Sequence, residues 1–275
     1  MTPAVVVLAL LVAGAAPVRG DPTVAPATGR PAGWSEGEAR AFLAGQVELG
    51  TTEHARAVAG WGRPWWLWGG LLADVWTNPD MATFTAGGRA ALLAANLEAH
   101  WRVTRSWTRV AMPPLARHAE VARGEGSTLH AWDLDAWGVV PTPGGYLMWE
   151  GLATRLLGAS RDVHVFDEGV HAIVRPPWCG LASLGWVADL AGGTVDAGAS
   201  ADLTFLGRGD ARRVRAGPML SWTPSPPWTL RGQLLFTLSS PDALPARDAL
   251  SGGLVVGYRA ATGTRGAARR PGAPP

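Results

Sequence analysis

The stretch Trp178–Leu206, WCGLASLGWVADLAGGTVDAGASADLTFL, has apolar residues at alternate positions over much of its length. In its second half, every other residue from Val195 to Phe205 is apolar, and polar residues or Gly stand between them. A period of two is typical of a strand with one apolar face and one polar face. Gly192-Gly193 can take the positive φ angles of a tight turn. The stretch therefore predicts a hairpin whose strands are longer than the ~5–6 residues usual in soluble proteins and match the ~9–11 that cross a membrane.

Composition narrows the class of protein. The chain has 275 residues, of which 47% are hydrophobic and 17% charged, with 15 Trp and a net charge of +2. It contains no basic block in its body, so nucleic acid is not an expected partner. A single Cys, Cys179, excludes an internal disulfide and a Cys-based zinc cluster.

The ends of the chain differ from its body. Residues 1–20 contain an apolar run, Val5–Ala16, and are predicted to be a signal peptide, with an N-terminal membrane anchor as the alternative. Residues 21–36 form a Pro-rich linker, and residues 261–275 are expected to be a disordered tail. After Gly20 no apolar run of about 18 residues follows. An exported chain of this kind is either a soluble β protein or a barrel in the outer membrane of a Gram-negative bacterium.

The body, residues 37–260, is predicted to consist almost entirely of strands. They are expected at 39–49, 53–61, 65–77, 83–104, 128–140, 145–157, 163–174, 178–190, 195–206, 212–223, 228–239 and 250–260, with the longest loop at 105–127. A helix competes with a strand over ALLAANLEAH, but only a period of two separates its polar residues from its apolar ones. Bacterial barrels usually have an even number of strands, which favours twelve, with ten as the alternative.

The predicted fold is all-β, an antiparallel up-and-down transmembrane β-barrel. Successive strands joined by short turns suggest a meander. In an outer membrane the apolar face would contact lipid and the polar face would line the lumen, and the barrel assembly machinery would be a partner during biogenesis. The alternative is a soluble secreted β-sandwich that binds a partner or glycan through its Trp residues.

Two sets of residues follow from strand parity. An interfacial aromatic girdle is expected from Trp residues near strand ends, namely Trp65, Trp76, Trp107, Trp178, Trp222 and Trp228. Charged residues on the polar faces are expected to point into the lumen and neutralise one another, namely Glu98, His100, Arg102, Asp133, Asp135, Asp189, Asp196, Asp202, Arg213, Arg215, Arg231 and Arg259.

The chain has no motif of a known catalytic site. It lacks a Gly-rich phosphate loop, a nucleophile elbow and an HExxH zinc motif, so neither a cofactor nor a metal is predicted. An outer-membrane hydrolase using His100 with Asp133 and Asp135 is the alternative to a non-enzymatic barrel. An ion-pair network that fills a narrow lumen is the preferred interpretation of those residues. The expected function is structural or that of a small passive channel, and no small-molecule ligand is predicted.

The chain resembles uncharacterised bacterial outer-membrane β-barrel proteins. The resemblance depends on GWGRPWWLWGG at 60–70, WGVVPTPGGYLMWE at 137–150, VRPPW at 174–178, LSSPDAL at 238–244 and GYRAATG at 257–263. It covers most of residues 37–263 and implies a fold and a location, but no activity. Many such barrels end on an aromatic residue, whereas this chain ends in GAPP.

Overall fold

The structure, a computed structural model, describes residues 39–50, 53–63, 67–78, 81–92, 95–107, 128–159, 164–190, 194–207, 209–225, 228–241 and 250–261. The predicted signal peptide and linker lie outside these residues, as do the predicted tail after Ala261, most of the predicted loop 105–127 and the Gly192-Gly193 turn. Among the residues described, no helix is long and apolar enough to cross a membrane.

Twelve long strands and one short hairpin make up the fold. The strands are β1 Arg40–Leu49, β2 Glu53–Arg63, β3 Leu67–Asn78, β4 Met81–Leu92, β5 Ala95–Ser106, β6 Thr128–Thr142, β7 Gly145–Leu157, β8 Val165–Asp167, β9 Ala172–Val174, β10 Trp178–Asp189, β11 Val195–Phe205, β12 Arg212–Ser225, β13 Trp228–Ser239 and β14 Leu250–Ala261. All except β8 and β9 form one closed barrel, in which neighbours along the chain pair in antiparallel fashion and β1 pairs with β14. The prediction of a twelve-stranded antiparallel barrel is confirmed. Ring closure rules out the β-sandwich alternative.

Two of the predicted strands were wrong, and the two errors cancel in the count. The run 83–104 is not one strand but parts of β4 and β5, which pair with each other from Met81↔Ser106 to Leu92↔Ala95. The predicted strand 163–174 is not part of the barrel wall. It forms the hairpin of β8 and β9, each of 3 residues, in the connection between β7 and β10, and β7 pairs directly with β10.

The barrel is polar inside and apolar outside. Exposed large apolar side chains occur on every barrel strand except β7, among the described residues; examples are Leu71 at 71% exposed and Leu134 at 56%. Buried positions alternate with them and carry charged or hydroxyl groups, such as Glu98 at 1%. This distribution is the reverse of that in a soluble protein.

The β8–β9 hairpin lies inside the barrel. Val170 and Val174 are 1% and 0% exposed, and they belong to an apolar cluster with the inner-wall residues Ala131, Leu152 and Leu156. We call residues 164–175 the lumen hairpin. Its apolar cluster includes residues of β6, β7 and β10, so the hairpin covers the inner wall next to the strands it connects, β7 and β10.

Candidate functional site

The most extensive polar site is a chain of ion pairs on the inner wall. At one end, the guanidinium of Arg231 on β13 pairs with the carboxylate of Glu48 on β1. His54 then joins β1 to β3, with Nδ1 3.2 Å from Glu48 Oε2 and Nε2 2.6 Å from Asp74 Oδ1. These contacts follow from register, because His54 faces Glu48 directly across the β1–β2 pair.

The chain continues through two arginines. Arg56 is directly opposite Asp74 in the β2–β3 pair and donates from Nη2 to Oδ2 at 3.0 Å, while its Nη1 lies 3.2 Å from Glu98 Oε1. Arg89 Nη1 is 3.5 Å from the same Glu98 oxygen, and its guanidinium stacks against Trp68. Two guanidinium groups therefore converge on one oxygen of Glu98.

Arg102 joins the inner wall to the lumen hairpin. It donates from Nε to Asp133 Oδ2 at 2.6 Å and from Nη2 to Asp167 Oδ2 at 2.7 Å. Thr154 Oγ1 also donates to Asp133, at 2.7 Å. Arg102 is 1% exposed and Asp167 0%. Because a buried charge is stable only when it is paired, this three-residue ion cluster fixes the hairpin to β5 and β6.

Other contacts hold the hairpin from the opposite wall. Arg213 on β12 donates to the backbone carbonyls of His171 and Val170 at 2.8 and 2.9 Å. His171 has a positive φ of 52°. The tip of the hairpin is thus bound to β12 while Asp167 is bound to β5.

His100 is enclosed between carboxylates. Its Nε2 lies 3.2 Å from Asp133 Oδ2 and its Nδ1 lies 3.9 Å from Glu98 Oε2, but neither nitrogen makes a hydrogen bond among the described residues. Asp135 completes a group in which one donor atom from each of Glu98, His100 and Asp135 lies within 4.8 Å of the others. Gly87 faces His100 in the β4–β5 pair, and a Cβ there would lie 2.4 Å from His100 Cβ. The absent side chain is what lets β4 lie this close to the backbone of β5 beside His100.

We call these ion-paired side chains the lumen network. Its members, linked by the contacts above, are Glu48, His54, Arg56, Asp74, Arg89, Glu98, His100, Arg102, Asp133, Asp135, Asp167 and Arg231.

A cavity of about 300 Å³ lies beside the network and the hairpin. Glu98 and Asp135 line it on one side, and Asp202 and Arg215 line it on the other. Those last two residues pair across β11 and β12, with Arg215 Nη2 2.6 Å from Asp202 Oδ2. The lumen is therefore partly filled rather than open along its width.

The predicted lumen charges are placed as follows. Buried side chains on the inner wall are Glu98, His100, Arg102, Asp133, Asp135, Asp196, Asp202 and Arg215. Arg213 and Arg231 are half-buried and bind the hairpin and Glu48, and Asp189 is half-buried at the end of β10. Arg259 faces Gln46 in the strand register, but its side chain lies outside the part that the structure describes.

The predicted girdle is placed less uniformly. Trp107, Trp178, Trp222 and Trp228 are exposed by 44 to 55%. Trp76 was wrongly assigned to the girdle: it is 7% exposed, because its parity on β3 matches that of the buried Asp74. Trp65 lies outside the described residues.

Sequence reasoning missed half of the lumen network. His54 lies in β2 but was not among the predicted lumen charges, and Asp167 was assigned to a barrel strand. Arg56 and Asp74 face each other across the β2–β3 pair, because each lies nine residues from Trp65. The predicted strands 53–61 and 65–77 place the turn before Trp65, so the sequence contained no signal for this register.

Comparisons with known proteins add little to this description. No protein-family model matches the chain, and no curated protein matches it in sequence. Among solved structures, the beta domain of the Bordetella autotransporter Brka is similar at 17% identity and a TM-score of 0.40, covering 81% of this chain and 99% of that one. CdiB from Acinetobacter baumannii is similar at 8% identity and a TM-score of 0.42, covering 82% of this chain and 60% of that one.

A third solved structure is a loop-deletion variant of OmpT, an outer membrane protein of Vibrio cholerae. It is similar at 6% identity and a TM-score of 0.36, covering 81% of this chain and 98% of that one. Likenesses this distant carry no argument about function, and the fold assignment depends on the strand pairing itself.

Proposed function

We propose that the protein is an integral outer-membrane barrel without catalytic activity, whose partly filled lumen is a narrow passive path for small cations. The observation that carries the proposal is the lumen hairpin, held at Asp167 by Arg102 and at its tip by Arg213. Among the described residues, a hairpin bound on two walls leaves the cavity beside it as the path.

The outer surface supports the membrane location. Lipid is the environment that makes a continuous apolar outer face favourable, whereas in water such a face drives association. The barrel strands are 10 to 15 residues long, which is sufficient to cross a bilayer. Most charged side chains of the described strands lie on the inner wall, where they are removed from lipid, and exposed ones such as Arg105, Arg155 and Arg212 lie near strand ends.

The cavity lining supports the preference for cations. Six carboxylates line the cavity, from Glu98, Asp135, Glu150, Glu168, Asp196 and Asp202, against three guanidinium groups, from Arg56, Arg215 and Arg231. An excess of one sign of charge in a narrow, low-dielectric passage raises the local concentration of ions of the opposite sign.

The burial of His100 argues against the hydrolase alternative. A general base must come within hydrogen-bonding reach of its substrate. The imidazole is 1% exposed, and Arg102 and Thr154 occupy the carboxylate of Asp133. We therefore assign these residues to stabilising the lumen.

Location is tested by fractionation and conduction by planar-bilayer recording of the purified full chain. We expect the protein in the outer-membrane fraction after carbonate washing, with faster gel migration before boiling. We expect small single-channel currents and a reversal potential of the cation-selective sign in a KCl gradient. Recovery from the soluble periplasm would overturn the location. Large, steady porin-like currents, or anion selectivity, would overturn the narrow cation path.

A further inference from the structure

We propose that Glu98, His100 and Asp135 bind one divalent transition-metal ion on the inner wall of the barrel. The inference is independent of the proposed conduction, because it concerns only the chemistry of this donor group. It begins with the group itself, one imidazole and two carboxylates on the adjacent strands β5 and β6. A site with both nitrogen and oxygen donors favours ions such as Zn²⁺, whereas Ca²⁺ and Mg²⁺ prefer sites made only of oxygen atoms.

The orientation of His100 is the second observation. Nε2 lies 3.2 Å from Asp133 Oδ2 and Nδ1 lies 3.9 Å from Glu98 Oε2, yet neither ring nitrogen makes a hydrogen bond among the described residues, although His100 is only 1% exposed. A buried imidazole without a hydrogen-bond partner is costly, and a cation bound at Nδ1 gives that nitrogen a partner. An imidazole that donates to a carboxylate from one nitrogen and binds metal with the other is the usual arrangement in zinc sites.

Asp133 is well placed for this supporting role. Arg102 and Thr154 both donate to it, so its orientation does not depend on His100. Glu98 is similarly divided: Oε1 contacts Arg56 and Arg89, while Oε2 faces the imidazole. Both arginines therefore contact Oε1, whereas Oε2 is the Glu98 oxygen that lies 3.9 Å from His100 Nδ1.

Charge balance in the lumen network points the same way. The network holds six carboxylates, from Glu48, Asp74, Glu98, Asp133, Asp135 and Asp167, and four guanidinium groups, from Arg56, Arg89, Arg102 and Arg231. Carboxylates therefore outnumber guanidinium groups among these residues, and a divalent cation bound by Glu98 and Asp135 offsets the excess. Burial of uncompensated charge is costly, so the network favours such an ion.

The geometry needs only small adjustments. A tetrahedral ion with bonds of about 2.0–2.1 Å holds its donor atoms about 3.4 Å apart, and the three donors here lie within 4.8 Å of one another. Rotation of the two carboxylate side chains covers the difference. Glu98 and Asp135 also line the cavity, which supplies an entry path for the ion and room for a water ligand.

The test uses Zn²⁺ and the full chain folded in detergent micelles. After EDTA treatment and dialysis, Zn²⁺ is titrated against a competing chelator and bound metal is measured by elemental analysis. We expect one Zn²⁺ per chain. Outer-shell changes alone typically weaken metal binding 10–100-fold, so loss of a direct ligand in His100→Gln or Glu98→Gln should weaken it by at least about 100-fold. His130→Gln is the matched control, since His130 lies on the next strand and stacks on the outward-facing Trp101.

X-ray absorption of the wild-type complex gives a readout that does not depend on the variants folding. We expect one imidazole nitrogen together with carboxylate oxygens around the zinc. Absence of stoichiometric binding to the wild type would overturn the site. Equal binding by His100→Gln and the wild type, or a spectrum without imidazole, would equally overturn it.

Discussion

Replacing Arg102 with Met should destabilise the barrel more than any change to a surface arginine. Met retains much of the side-chain volume but removes the guanidinium from Asp133 and Asp167, at 2.6 and 2.7 Å. Removing one partner of a buried ion pair costs about 3–5 kcal/mol, since the remaining charge stays desolvated. Thr154 still donates to Asp133, whereas Asp167 keeps only the Val170 backbone N–H among the hydrogen bonds described here.

The assay is equilibrium urea unfolding in detergent, followed by Trp fluorescence. Arg105→Met is the matched control, because Arg105 lies three residues further along β5 on its opposite face, is exposed, and donates to Thr128 Oγ1. A surface change of this kind should alter the free energy of unfolding by no more than about 0.5 kcal/mol.

A second variant tests the reason for the loss. Adding Asp167→Asn to Arg102→Met removes one of the two uncompensated carboxylates, so it should recover part of the lost free energy, with a coupling of roughly 0.5–3 kcal/mol. The reasoning would be refuted if Arg102→Met and Arg105→Met lost similar free energy, or if Asp167→Asn made the Arg102 variant less stable.

Three further predictions use the same unfolding assay. Ala201→Arg, on the outer face of β11, should cost ~2–4 kcal/mol near the bilayer midplane, and Ser200→Arg should cost less because Ser200 lines the cavity; equal or reversed losses would contradict the assigned faces. Gly87→Ala should cost about 1–3 kcal/mol, since its Cβ would lie 2.2 Å from the backbone oxygen of Ala99. Gly88→Ala is the control and should be tolerated, because its nearest contact is at 3.8 Å. Similar losses for the two variants would show that the backbone of β5 shifts to make room at Gly87. Asp202→Ala should cost about 3–5 kcal/mol, because it removes the carboxylate that accepts from buried Arg215 on β12. A loss below about 1 kcal/mol would mean that water reaches this ion pair.

The sequence predicted the barrel because most strands repeat one simple pattern. A period of two sorts β5 and β11 into faces without any tertiary information. The turn between β4 and β5 was not predicted because neither Gly nor Pro lies there. In addition, the Ala and Gly residues of β4 make its two faces similar in hydrophobicity. The alternation of polar and apolar residues therefore continues across the two residues between β4 and β5, and the two strands were predicted as one.

The lumen hairpin could not be predicted from alternation. Three-residue strands around Asp167 and Ala172 carry the same local pattern as a barrel strand, and only the closure of β7 on β10 excludes them from the wall. Only half of the lumen network was predicted, for a related reason. Parity places Arg102 and Asp133 on the inner face, but the pairing of Arg102 with Asp167 depends on where a connection folds in space.

The lumen hairpin also determines the shape of the barrel's cross-section. In the ring, four strands, β6, β7, β10 and β11, separate β5 from β12 along the shorter path. A closed sheet can flatten into an ellipse without breaking any hydrogen bond between neighbouring strands. The hairpin ties Arg102 on β5 to Arg213 on β12 through Asp167 and the carbonyls of Val170 and His171, and so acts as a strut across that arc. The barrel is therefore stiffened against flattening along one direction, and distances between spin labels on β5 and β12 should be narrowly distributed until either arginine is removed.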